Sequence, residues 1–189
     1  MDIDLTFTAA EIIKEEALCY SSTLYVTLKP EYYPWPNTGP GSHAGIFSPG
    51  VVIFKDDLEH DCADLPHDDR RVVSVITVSA PRRCPLTEDQ STFKDPSVLE
   101  DLRRKIRLIY RIAGHYGQRY LVLGAFGCGV YKCPPVLVAK EMRAILEENE
   151  FRGWFRQIVF AIRNRSETGQ FNFDVFRKTF EVTTSSNSP

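Results

Sequence analysis

The sequence predicts an α/β fold in which a mostly parallel, mixed sheet carries helices on both faces. Three observations point to it. β-rich runs alternate with helix-period runs from residue 71 to residue 180. The run "RVVSVITVSAP" is apolar almost without a break, as expected of a strand covered on both sides. Helical stretches end at glycine or proline and a new strand follows at once, the pattern of right-handed crossovers onto parallel neighbours.

Taken in order, Thr8 and Glu11 form a capping-box signal that opens a helix running to about Leu28, before Pro30. Ile13, Ala17, Tyr20 and Leu24 recur at i, i+4, i+7 and i+11, which predicts one buried stripe. The segment "KPEYYPWPNTGPGSHAG" is crowded with proline, glycine and aromatics, so it predicts an irregular loop whose rings either stack on a ligand or pack. "FSPGVVIFKDD" reads as a short strand, "HDCADLPHDDRR" as a polar excursion, and "RVVSVITVSAP" as a central strand ended by Pro81. A helix from about Pro96 to Tyr116 carries Val98, Leu102, Ile106, Ile109 and Ala113 on one face and stops at Gly117. "RYLVLGAFG" is a strand running into glycines, and "PPVLVAKEMRAILEENE" a helix with proline at its start, where a missing N–H costs nothing. "FRQIVFAIRN" is a strand and "FDVFRKTF" a last short helix. Residues 1–182 are read as one domain and residues 183–189, "TTSSNSP", as a disordered polar tail.

Composition narrows the function. A chain of 189 residues suits one core, and a net charge of −2 gives no long-range grip on DNA or RNA. No apolar run reaches the length of a membrane span, and acids stand in the first residues where a signal peptide would carry lysine or arginine, so an intracellular location, cytoplasm or nucleus, is expected. The cysteines Cys19, Cys62, Cys84, Cys128 and Cys133 are odd in number and irregular in spacing, which fits reduced thiols. Cys128 and Cys133 lack a second pair that would complete a zinc site, and His60, Asp61, His67, Asp68 and Asp69 lie in a proline-containing loop that reads as surface, so neither a metal nor a cofactor is expected.

The most informative stretch is "LVLGAFGCGVYKCPP", residues 121–135, where a buried strand passes through Gly124, Gly127 and Gly129 into a helix start. Ligands of α/β sheets collect beyond such strand ends, and glycines let backbone N–H groups approach a phosphate beside a helix N-terminus. Val130 and Tyr131 stand where a Walker motif needs Lys and Ser/Thr, and Lys132 stands where a dinucleotide fingerprint needs its third glycine. Two readings remain: a tight turn that requires glycine, or a diphosphate cradle of another type. Phe126 and Tyr131 are either platforms for a base or ribose, or core residues. Glu15 and Glu16, read alone, are a solvated helix shoulder. Glu16 lies beside the apolar stripe, so it is expected to be the more buried of the two, with Glu15 about 100° away and wetter.

In order along the chain, "KEEALCYSSTLY", "FSPGVVIFKDD", "VSAP", "LVLGAFGCGVYKCPPVLVA" and "FRQIVFAI" together resemble the microbial-type poly(ADP-ribose) glycohydrolase family, a branch of the macrodomains. The resemblance implies a three-layer α/β/α fold that binds ADP-ribose or poly(ADP-ribose). Residues 127–131, with Gly127, Cys128, Gly129, Val130 and Tyr131, would wrap the diphosphate, joined by Gly124. It also implies that Glu16 protonates the oxygen leaving a cleaved ribose–ribose bond while Glu15 positions the ribose. Two departures bear on activity: Lys14 replaces the family's glutamine, and no glycine precedes Gly39, so the triple-glycine loop that embraces the ribose has no counterpart. The expectation is an N-terminally truncated macrodomain-like chain that recognises ADP-ribose with weak or lost hydrolysis. Its alternatives are an active glycohydrolase using Glu16, or a non-enzymatic module whose incomplete sheet edge a protein partner covers.

Overall fold

The computed structural model describes residues 2–4, 14–57 and 60–181, with side chains described from Glu16 onward. The predicted cap at Thr8 and Glu11, the stripe residue Ile13 and the tail 183–189 lie outside the described residues. Two groups of strands form the β layer. β1 (Asp2–Asp4), β5 (Gln157–Phe160) and β4 (Tyr120–Leu123) make a parallel three-stranded sheet in the order β1-β5-β4. β2 (Gly45–Ile53) and β3 (Arg71–Val78) make an antiparallel pair, so the fold is mixed α/β.

The helical elements are α1 (Lys14–Ser21), α2 (Leu24–Thr27), α3 (Pro96–His115), α4 (Pro135–Leu146) and α5 (Glu167–Phe180). α3 is the predicted helix almost residue for residue. Asp95 caps it by accepting the Ser97 N–H at 2.8 Å, proline occupies its first turn, and Val98, Leu102, Ile106, Ile109 and Ala113 are all buried. Tyr110 on the same face is buried and donates to the Met142 carbonyl at 3.1 Å, which ties α3 to α4. The β4–α4–β5 segment is a parallel crossover unit: Leu121 pairs with Ile158 and Leu123 with Phe160, and α4 spans the return. β5 is flanked on both sides, and its Ile158 and Phe160 are fully buried. α5 begins earlier than predicted because the Ser166 side chain caps it by accepting the Gly169 N–H.

Two expectations are corrected. The run "RVVSVITVSAP" is not a central strand buried on both faces. β3 pairs only with β2 among the described strands, Val72 is 71% exposed, and no residue of the strand is fully buried. Its β-branched composition fixes it as a strand but says nothing of how many neighbours it finds. Among the described residues the predicted long first helix is broken into α1 and α2. Ser21 and Ser22 turn their hydroxyls back onto the carbonyls of Ala17 and Leu18, Ser22 bridges to Ile53, and Thr23 N–H donates to Val52 O at 3.0 Å. Hydrogen bonds to β2 thus replace the helical ladder at that point.

The stripe changes accordingly: Leu24 is fully buried, Ala17 is half-buried and Tyr20 is 69% exposed. On the outer strand β4, Tyr120 and Val122 are exposed. Among the described residues no helix is long and apolar enough to cross a membrane.

Candidate functional site

β4 and β5 are parallel, so both deliver their carboxyl ends to one side of the sheet. There the chain leaves β4 at Leu123 and enters the glycine loop, and Ala161 N–H donates to Leu123 O at 2.7 Å just past β5. The end of β3 meets the same loop through Ala80.

Gly127 is the pivot. Its φ is +74°, and a Cβ there would stand 2.7 Å from both Ala80 Cβ and Cys133 Sγ. Conformation and space therefore both demand glycine. Cys128 and Cys133, 3% and 2% exposed, anchor the inner half of the loop. Cys133 N–H donates to Gly127 O at 3.0 Å, Cys133 Sγ to Pro81 O at 3.2 Å, and Cys128 N–H to Ala125 O at 3.1 Å. Burial pushes the Cys133 thiol up to about 12, so it stays a neutral packing group.

The outer half faces the other way. Gly129 and Val130 are exposed, Tyr131 is half-buried, and nothing lies within 4 Å of a Cβ built on Gly129. Among the described residues, the N–H groups of Gly129, Val130 and Tyr131 find no acceptor, whereas the carbonyls of all three are taken. Gly129 O accepts Lys132 N–H at 3.1 Å, Val130 O accepts Arg83 Nε at 3.3 Å and Tyr131 O accepts Arg83 N–H at 2.7 Å. With carbonyls held back and amides free, the loop presents donors beside the start of α4, an arrangement that suits an anion.

Sequence reasoning missed Arg82 and Arg83. Arg83 clasps the loop as above, and the Arg82 guanidinium lies 5.8 Å from the centre of the Tyr131 ring. Both are exposed and set positive charge next to the free amides. The signal was two adjacent arginines directly after the strand-ending Pro81.

Also missed was a buried polar cluster below the loop. Lys105 on α3 is fully buried and Asp101, one turn earlier, is 7% exposed. Burial pulls the Lys105 ammonium down to about 8, against the opposing charge of Asp101.

The predicted residues divide into two groups. The structure brings Gly127, Cys128, Gly129, Val130 and Tyr131 together in one loop that continues from Gly124, with Phe126 and Tyr131 half-buried against the core cluster. Phe126 and Tyr131 thus serve packing first, each retaining some accessible ring. Glu15 and Glu16 lie in the first turn of α1, a helix tied at its other end to the chain just past β2 by Phe54 N–H donating to Ser21 O at 3.0 Å. Glu16 is exposed, contrary to the burial expected from the helix period, and finds no hydrogen-bond partner among the described residues. The reason is that the stripe it was placed beside is itself partly uncovered at Tyr20. Of the acidic and histidine residues in the polar excursion, His60 meets Asp57 at 2.9 Å and Asp56 at 3.5 Å on the surface, while His67, Asp68 and Asp69 form a separate exposed turn.

No protein-family model and no curated protein matches the sequence. Solved structures do. The fold is similar to that of the poly(ADP-ribose) glycohydrolase from Deinococcus radiodurans in complex with ADP-ribose, at 31% identity and a TM-score of 0.71, covering 94% of this chain and 73% of that one. The same protein in apo form gives a TM-score of 0.66 at 31% identity, over 94% of this chain and 72% of that one. The poly(ADP-ribose) glycohydrolase from Thermomonospora curvata, bound to the inhibitor ADP-HPD, gives a TM-score of 0.74 at 29% identity, over 94% of this chain and 70% of that one. A shared path of chain over nearly the whole described fold, at this level of identity, makes the chain a member of the microbial-type poly(ADP-ribose) glycohydrolase family of macrodomains.

Proposed function

We propose that the chain binds ADP-ribose, free or at the ends of poly(ADP-ribose), with its diphosphate on the outer half of the glycine loop, and that it cleaves the ribose–ribose bond weakly or not at all. The supporting observation is the set of unpartnered N–H groups of Gly129, Val130 and Tyr131, displayed past the carboxyl end of β4. Two phosphates carry charge that these amides, the start of α4 and the Arg82 and Arg83 guanidinium groups would each favour. The bound ADP-ribose of the Deinococcus protein and the inhibitor of the Thermomonospora protein are consistent with this ligand class.

Weak hydrolysis follows from the setting of the acid. A general acid working near neutral pH is typically held in apolar surroundings and within hydrogen-bond reach of the leaving oxygen. Glu16 is exposed and finds no hydrogen-bond partner among the described residues. Positioning of that kind supplies up to about 7–11 kcal/mol of a barrier. The second reading, an active glycohydrolase with Glu16 as acid and Glu15 positioning the ribose, is favoured by the place of both residues in the first turn of α1.

Calorimetry with ADP-ribose tests the site. The wild type should release binding heat and a Gly127→Asp variant should not; equal heats, or none from either, would remove the proposal. Release of ADP-ribose from polymer by the wild type but not by Glu16→Gln would select the second reading.

A further inference from the structure

We infer that Lys105 is a positioning residue: with Asp101 it forms a buried clasp that fixes residues 37–43 as a wall beside the glycine loop. This rests on the ADP-ribose reading of the site. Lys105 Nζ donates to the carbonyl of Asn37 and, at 2.8 Å, to that of Ser79. Asp101 Oδ2 accepts the Gly39 N–H, and its Oδ1 lies 3.1 Å from His43 Nε2. Asn37 Nδ2 donates to Ser79 Oγ and, at 3.4 Å, to Ala80 O. One carboxylate and one ammonium on α3 thus hold the backbone of the aromatic, proline-rich segment and the end of β3 together.

The clasp is what this segment has in place of a core. Between residues 30 and 44 only Ser42 is buried, and the regular structure is a single turn at Pro30–Tyr32. Apolar burial is therefore too small to fix its path. Buried charged side chains are generally a poor source of stability compared with apolar side chains of the same volume. What the pair does that apolar residues cannot do is bind peptide groups of a loop in one arrangement. The consequence for the site is direct, because Gly127 rests on Ala80, and Ala80 is the residue next to the clasped Ser79. Releasing residues 37–43 would loosen the floor beneath the free amides and the stacked Tyr33–Trp35 pair, whose ring centres are 4.9 Å apart.

The test uses Trp35 as a reporter. The chain has 2 tryptophans, so a Trp154→Phe background leaves Trp35 alone. In that background Lys105→Met should still melt cooperatively, shift Trp35 emission to the red, and weaken ADP-ribose binding by roughly tenfold or more, the equivalent of one lost charge-assisted hydrogen bond. Binding within twofold of the parent would overturn the inference, whether or not the emission moves. If Lys105→Met does not fold, Asp101→Asn, nearly equal in volume, should weaken binding in the same direction, and parent-like binding by it would overturn the inference equally. Amide exchange separates the two levels. The Gly39 N–H should be protected like the core of α3, and exchange at the rate of an exposed loop would overturn the clasp. A parent that binds no ADP-ribose, with Gly39 protected, would sink the ligand reading and with it the positioning role, leaving only the clasp.

Discussion

Substituting Gly127 by alanine should damage stability and binding together, and the size of the damage can be worked from two features. The first is conformation: at φ +74° an L-residue costs about 1–2 kcal/mol relative to glycine. The second is space, since the new methyl would lie 2.7 Å from Ala80 Cβ and 2.7 Å from Cys133 Sγ. Both neighbours are nearly fully buried, so relief requires moving the end of β3 or the start of α4. Overpacking of this kind costs about 1–3 kcal/mol. Together they give about 2–5 kcal/mol, a large part of the roughly 5–15 kcal/mol that holds a domain of this size.

Gly129→Ala is the internal control. Its Cβ meets nothing within 4 Å and the residue is not in the left-handed region, so its denaturation midpoint should stay within about 0.5 kcal/mol of wild type. The proposed diphosphate site is that same open space, so Gly129→Ala should weaken ADP-ribose binding while leaving stability alone. Urea denaturation and calorimetry on the two variants read both effects. A Gly127→Ala protein as stable as Gly129→Ala would refute the account of the loop's inner half.

Other outcomes follow from the charges. With its pKa drawn from 10.5 to about 8, Lys105 is deprotonated in the folded chain while still protonated in the unfolded one between those values. Stability therefore rises with pH through that window and is depressed below it. Relative to Lys105→Met, which leaves the neighbouring Asp101, Cys84 and Cys133 in place, the wild type should show an extra slope approaching about 1.4 kcal/mol per pH unit. Parallel stability curves would contradict it. Arg82→Ala should weaken ADP-ribose binding by roughly threefold at low salt, with the difference shrinking as screening increases, because an exposed charge is worth about 0.2–1 kcal/mol. A salt-independent difference would mean that Arg82 acts through packing on Tyr131.

What the sequence made legible was what is local. The five apolar positions of α3 lie at helical spacing, and a 20-residue helix repeats that signal often enough to fix its face. The glycine loop was legible because a strand, glycines and a helix start follow one another directly. The number of neighbours of β3 was not, since strand pairing depends on segments far away in the chain. The buried face of α3 held a further clue: Asp101 and Lys105, four apart, fall at Leu102−1 and Ile106−1, on the edge of the apolar stripe. An acid and a lysine at that spacing usually read as a solvated i,i+4 pair. Only the tertiary fold, by laying residues 37–43 across them, shows that they face inward. Glu16 is the converse case. Its period placed it beside a stripe, yet burial requires something to cover the stripe, and Tyr20 stands 69% exposed.

These observations separate binding from turnover in physical terms. On the proposed reading, the diphosphate side of the site is made from backbone atoms held by packing of Gly127 against Ala80 and by hydrogen bonds from Cys133 to Pro81 and from Lys105 to Ser79. Such a cradle keeps its donors in place without any contribution from α1. The proposed acid side depends on α1, which is held at one end through Ser21, Ser22 and Thr23 and carries Glu15 and Glu16 in its first turn. Recognition of a diphosphate needs only the first arrangement, because ground-state contacts suffice for affinity. Cleavage needs the second to be fixed to well within an ångström of the leaving oxygen. On this proposal a polypeptide can lose accuracy at α1 and keep its ligand, whereas a change at Gly127 should remove the ligand and, with it, any chemistry that α1 could perform.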